Sequence, residues 1–149
     1  VDTFAITNAT RSPLPRVAFL RIKETILGKN YSLSLVFIGD TRMRALNYDS
    51  RSKDATTDIL SFPLSKTNGE MFISVKEASR RCKNFDLSPT KYITFLFIHG
   101  LLHLKGHTHG RTMEQLENCG VTVQHFPSET LKPLIANALF KDRKSTRLN

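Results

Sequence analysis

Ser88-Pro89-Thr90-Lys91-Tyr92-Ile93-Thr94-Phe95-Leu96-Phe97-Ile98-His99-Gly100-Leu101-Leu102-His103-Leu104-Lys105-Gly106-His107-Thr108-His109 is the stretch on which the fold turns. Ser88 suits an N-cap, because its hydroxyl can accept from the open N–H groups of a first helical turn. Pro89 suits the first helical position, where its missing N–H removes no hydrogen bond. From Tyr92 to Leu104, apolar residues fall on both faces of the 3.6-residue period. A helix that is apolar all round is a buried helix. Gly106 is expected to end it by permitting a left-handed turn.

The sequence before this helix alternates strand-like and helix-like segments. Val1 to Ile6 places Phe4 and Ile6 on one side of a strand. Pro13 and Pro15 lead into a helical stripe of Val17, Leu20, Ile22 and Ile26, with Leu27-Gly28 as its stop. Leu33 to Ile38 is β-prone. Asp40 or Thr41 can cap a helix running through Met43, Leu46 and Asn47, and residues 48–57 read as a polar loop. Ile59 to Leu64 and Met71 to Val75 read as paired strands around a Lys-Thr-Asn-Gly turn. Lys76 to Asn84 is helical and basic. Beyond the long helix, weaker helices are expected over Thr112 to Asn118 and near Leu131 to Phe140, the last starting at Pro133. Strands mixed with helices in this order predict an α/β or α+β layer fold, with the apolar helix against the sheet.

Composition narrows the class. A chain of 149 residues with 40% hydrophobic and 23% charged residues has the profile of one globular domain, which rules against wholesale disorder. We assign residues 1–140 to that domain. Residues 141–149 are a basic tail without apolar period, expected to be disordered. Cys82 and Cys119 are too few for a disulfide scaffold and suit two reduced thiols in a cytosolic protein. No apolar run reaches the ~18 residues of a membrane span, and the N-terminus lacks a signal-peptide pattern. The expectation is a soluble, cytoplasmic protein with no membrane partner. The net charge of +9 favours an acidic partner, nucleic acid first.

Chemistry is concentrated in the same helix. His99 and His103, at i and i+4, share one helical face with an axial offset of ~6 Å. Their imidazoles can reach one ion at ~2.0–2.1 Å. His107 keeps the i+4 spacing but would stand ~12 Å from His99 along an unbroken helix. His109, swinging back after a turn at Gly106, is the preferred third ligand. Three histidines leave a fourth position for water, whose pKa a zinc ion lowers toward ~7. The spacing H-x3-H-x2-G-x2-H equals that of metzincin proteases. There a glutamate after the first histidine is the general base; here Gly100 stands in that place and cannot move a proton. An activated water in a basic protein points instead to phosphodiester chemistry.

His99-Gly100-Leu101-Leu102-His103-Leu104-Lys105-Gly106-His107-Thr108-His109 resembles the signature of the bacterial YbeY endoribonucleases. Leu46-Asn47-Tyr48-Asp49-Ser50-Arg51-Ser52-Lys53-Asp54, followed by Thr57-Asp58-Ile59-Leu60-Ser61-Phe62-Pro63, is similar to a second block of that family. Gly69-Glu70-Met71-Phe72-Ile73 resembles a third, with Glu70 in place of Asp. The resemblance runs from about Leu33 to Glu117. It implies an α+β domain in which a small mixed four-stranded sheet packs on helices, a zincin-like metal-dependent hydrolase. It implies one Zn2+ ion held by His99, His103 and His109, and a functional arginine at Arg51. It also implies single-strand-specific endoribonuclease activity in rRNA processing, chiefly 3′ end maturation of small-subunit 16S rRNA. The partners implied are rRNA and the small ribosomal subunit, with no DNA expected. Three positions depart from the family pattern: His107-Thr108 replaces a Tyr-Asp pair, Ser52 replaces a glycine, and the segment after His109 is short.

Arg51 has a role on physical grounds as well, since a guanidinium can grip phosphate oxygens in pairs and stabilise developing charge. Lys53 and the basic stretch of Arg80, Arg81 and Lys83 are further candidates for RNA backbone contact. Ser61 and Thr57 lack a base at a known position and suggest no nucleophile, and isolated His125 suggests a structural or exposed residue. Two alternatives remain from sequence: a zinc hydrolase acting on another substrate, and a non-enzymatic ribosome assembly factor with a structural zinc.

Overall fold

The computed structural model describes residues 3–109, with side chains as far as Gly106. The expected helices over 112–118 and 131–140, the basic tail, Cys119 and His125 lie outside the described residues. Four strands and four α-helices are described: β1 (Phe4–Asn8), α1 (Phe19–Ile26), β2 (Ser32–Phe37), α2 (Asp40–Arg51), β3 (Ile59–Ser65), β4 (Asn68–Ile73), α3 (Val75–Arg81) and α4 (Pro89–His109), with a short 3-10 turn at Cys82–Phe85.

The sheet is mixed and runs β1-β2-β4-β3. β1 pairs parallel to β2, and β2 parallel to β4, while β3 returns antiparallel to β4 as an edge strand. That edge position tolerates Pro63, which has no N–H to give a second neighbour. The register slips between Pro63 and Ser65. The hairpin turn is shorter than the sequence suggested, because Asn68 and Gly69 belong to β4 rather than to the turn.

Alternation along β2 and β4 splits the side chains between two layers. Leu33, Leu35, Phe37, Met71 and Ile73 face α1, α3 and α4 in the main core. Val36, Phe62 and Phe72 face α2 in a smaller cluster around Ile38, Met43 and Leu60. The α4 residues Tyr92, Ile93, Phe95 to Ile98, Leu101, Leu102 and Leu104 are all buried, as a helix apolar on every side requires. Phe97 packs edge-on against Phe19 of α1 with centroids 5.0 Å apart. Burial of a side chain of that size contributes about 1.5–3 kcal/mol. No helix among the described residues is long and apolar enough to cross a membrane.

Several local expectations are corrected. In α1 the buried face is Phe19, Ile22, Lys23 and Ile26, while Leu20 is exposed. Lys23 takes the buried place because its Nζ donates to Thr3 Oγ1 and to the Lys29 carbonyl, each at 3.3 Å. Gly28 follows the helix with φ 89°, as its role as a stop requires. The N-cap of α2 is Gly39 rather than Asp40 or Thr41. The helix then runs four residues past Asn47, so Tyr48 to Arg51 are helical, not loop. No breaker lies in that stretch, and Ser50 directs its hydroxyl back to the Leu46 carbonyl at 2.6 Å. The stop is Ser52, in a left-handed conformation with φ 57°.

At α4 the N-terminus forms as expected. Ser88 Oγ accepts from Lys91 N at 3.2 Å, and the Ser88 carbonyl from Tyr92 N at 2.9 Å. Gly106 does not end the helix, which continues to His109. Glycine permits a left-handed stop but imposes none. Inside a helix it costs only about 1 kcal/mol relative to alanine.

Candidate active site

The apolar surface of α4 is interrupted where the chemistry is. His99 and His103 are partly exposed between fully buried neighbours. Their Nε2 atoms stand 2.9 Å apart, with ring centroids at 4.5 Å. Two imidazole nitrogens bound to one tetrahedral ion at ~2.0–2.1 Å would be separated by roughly 3.3 Å, so the pair is within a few tenths of an ångström of a shared-ion geometry. Burial, reinforced by the neighbouring His103, pushes the His99 pKa down to about 4. Its ring is therefore neutral at pH 7, the form that ligates metal. These donors fit a zinc ion. Among the described residues no third His, Cys, Asp or Glu joins them. The side chain of His109 is outside the described set. Its backbone continues the helix, about 9 Å further along the axis than His103.

Both histidines open into a cavity of about 260 Å³. Its walls come from three elements: His99, Gly100 and His103 of α4, Ile59 to Ser61 and Pro63 of β3, and Arg51 at the end of α2. α2 and α4 pack on opposite faces of the sheet, and β3 is its edge. Arg51 and the histidine pair therefore meet at that edge. Arg51 is exposed, and among the described residues no carboxylate pairs with it. The described lining contains no Asp or Glu, so the cavity presents a guanidinium and two imidazoles to an incoming anion.

Gly100 explains the missing glutamate. A Cβ built there would lie 2.7 Å from Met71 Cε, 2.8 Å from Ser61 Oγ and 2.9 Å from Ile59 Cδ1. The residue after the first histidine is pressed onto side chains of β3 and β4, and a side chain there requires Met71, Ser61 and Ile59 to shift. The sequence signal was a glycine inside an otherwise apolar helix, which marks close backbone approach as much as missing chemistry.

The other basic candidates lie elsewhere. Lys53 is exposed just beyond α2. Arg80 bonds Asp40 and Glu77, and Arg81 bonds Glu77 and contacts Asp58 at 3.4 Å. Burial raises the Glu77 pKa, but hydrogen bonds from Arg80 and Arg81 outweigh it and hold the carboxyl below its ordinary value. Asp58 also accepts from the buried Tyr92 hydroxyl at 2.7 Å. This network ties α3 to the start of α2, the start of β3 and α4, a role the basic run alone did not reveal. A second cavity, about 560 Å³, lies at the opposite end of α2, lined by Arg11, Gly39, Lys76 and Arg80 among others.

Comparison with known proteins bears on the family and the fold. The family model Endoribonuclease YbeY matches residues 6–121. Proteins named Endoribonuclease YbeY from Finegoldia magna, Alkaliphilus oremlandii and Anaeromyxobacter sp. are 32%, 36% and 41% identical over 115, 90 and 85 residues. The aligned regions cover 72%, 54% and 53% of this chain. They cover 75%, 60% and 44% of the relatives, so the chain spans from under half to three quarters of their length. The solution structure of TM1509 from Thermotoga maritima superposes with a TM-score of 0.61 at 18% identity, covering 97% of this chain and 91% of that one. That likeness supports the mixed-sheet α+β fold.

Proposed function

The chain belongs to the YbeY endoribonuclease family, hydrolases of RNA phosphodiester bonds, and from that premise we propose that it is a zinc-dependent, single-strand-specific endoribonuclease of rRNA processing. The observation that carries this reading is the meeting of Arg51 with the His99–His103 pair in one cavity whose described lining holds no carboxylate. His99, His103 and His109, all carried by α4, would hold one Zn2+ ion in this reading. When bound, that ion supplies a water of lowered pKa. Arg51 grips the phosphate and neutralises charge as it develops on the equatorial oxygens. Gly100 and the β3 residues Ile59 to Ser61 and Pro63 form the wall beside the reacting group. Lys53, Arg80 and Arg81 are the further RNA contacts in this reading. Arg80 and Arg81 act from within the carboxylate network and so attract less strongly than free cations.

The substrate we infer is the 3′ end region of small-subunit rRNA, with the small ribosomal subunit as partner and the cytoplasm as the site of action. Arg51→Glu tests the reading. The variant keeps the zinc content of the wild type and loses cleavage of a ribosomal precursor by at least about 100-fold, the scale of removing one charge-stabilising donor. Unchanged turnover removes the arginine from the mechanism.

A further inference from the structure

α2 carries more than Arg51. Thr41, Arg44, Tyr48 and Arg51 follow one another at spacings of three, four and three residues and so form one stripe along the helix. All four are exposed, whereas Met43 and Asn47, which pack toward the sheet, are buried. Tyr48 stands out within the stripe. The residue is 58% exposed, so the core gains little from it. It lies one turn before Arg51, which lines the cavity. One turn earlier still, Arg44 is held by Asp54 at 2.7 Å on the open surface. An exposed aromatic face one turn before a guanidinium that lines an anion-accepting cavity has the chemistry of a stacking platform for a nucleobase beside a gripped phosphate, while Arg44, ion-paired with Asp54, attracts the strand less strongly.

We propose that Tyr48 stacks an unpaired base of the RNA next to the phosphate gripped by Arg51, making the exposed stripe of α2 the track by which single strands enter. This rests on the endoribonuclease reading. A paired base offers no free face to the ring, so the platform favours single strands without reading sequence. Stacking is present before and during cleavage, and its loss therefore raises KM more than it lowers kcat.

The experiment compares zinc-loaded wild type, Tyr48→Ala and Tyr48→Phe in steady-state cleavage of a single-stranded ribosomal RNA fragment, with zinc content and melting temperature as controls. Tyr48→Ala is expected to raise KM by about 5- to 100-fold, the range for loss of one stacked base. Tyr48→Phe, which keeps the ring, stays within about twofold of wild type. A series of substrates each lacking one base should contain one position at which Tyr48→Ala causes no further loss. If wild type cleaves and Tyr48→Ala has an unchanged KM, the stacking proposal is overturned and the function stands. An equal loss in Tyr48→Phe also overturns it, because the hydroxyl and not the ring would then matter. Failure of the wild type to cleave RNA overturns the reading beneath both.

Discussion

Gly100→Ala sets two known effects against each other. On helix propensity alone, alanine in place of an interior glycine stabilises by about 1 kcal/mol. The structure opposes this with three contacts of 2.7, 2.8 and 2.9 Å between the new Cβ and atoms of Met71, Ser61 and Ile59. Carbon atoms prefer about 3.5–4.0 Å, so the ends of the Met71, Ser61 and Ile59 side chains must shift by several tenths of an ångström. Met71 is fully buried and its end has little room to swing away. Overpacking of this kind costs typically 1–3 kcal/mol. We therefore expect a net loss of up to about 2 kcal/mol and no net gain, read as a fall in melting temperature of up to roughly 8 °C for a chain of this size. Zinc content should persist, because His99 and His103 share one helix and move together. RNA cleavage should fall more steeply, because Ile59 and Ser61 line the cavity between the histidines and Arg51 and misplacement at a reacting centre is costly in rate. A melting temperature raised by the several degrees that helix propensity alone predicts would refute the close packing of α4 on β3.

Ser52→Gly should raise stability by about 0.5–1 kcal/mol, since a non-glycine residue at φ 57° costs about 1–2 kcal/mol and glycine returns part of that in chain entropy; a thermal melt showing no gain would contradict the left-handed cap. Stability should also fall in acid. Hydrogen bonding to Arg80 lowers the Asp40 pKa below its ordinary 3.8, and the Arg80 and Arg81 bonds outweigh burial to hold Glu77 below 4.5. Carboxyls with depressed folded pKa values stabilise fully above their unfolded values and lose that contribution as pH drops through the folded ones. Urea midpoints should thus be level with respect to these two groups from pH 7 to about 5 and decline below about 4.5, and the Glu77→Gln variant should decline less; a variant as acid-sensitive as wild type would contradict this.

How far the sequence was legible depended on whether a residue's role was local. The buried α4 followed from apolar residues on all sides, and its start from Ser88-Pro89, because both are properties of neighbouring residues. The closeness of His99 and His103 followed from helical spacing in the same way. Arg51 was recognised through motif resemblance, but its position as the last residue of α2 was not. A polar stretch such as Tyr48 to Arg51 carries no period to separate helix from loop. Gly106 misled for the opposite reason, since its freedom to turn left-handed does not compel it to. Lys23 and the Asp58–Tyr92–Arg81 contacts were invisible because they join residues from separate elements, and only the fold sets such distances. Tyr48 was quoted in the sequence motif without a role, and its meaning emerged only with the exposed face of α2.

The central claim is that the histidines beside Arg51 hold a metal that makes the cavity a phosphodiesterase. Its most direct test is to measure bound zinc per chain together with cleavage of a single-stranded ribosomal precursor, in wild type and in His103→Ala. The account predicts one zinc per wild-type chain, cleavage abolished by chelation and restored by zinc, and loss of both metal and cleavage in a folded His103→Ala protein. A folded His103→Ala protein that retains one zinc and cleaves at the wild-type rate would contradict it.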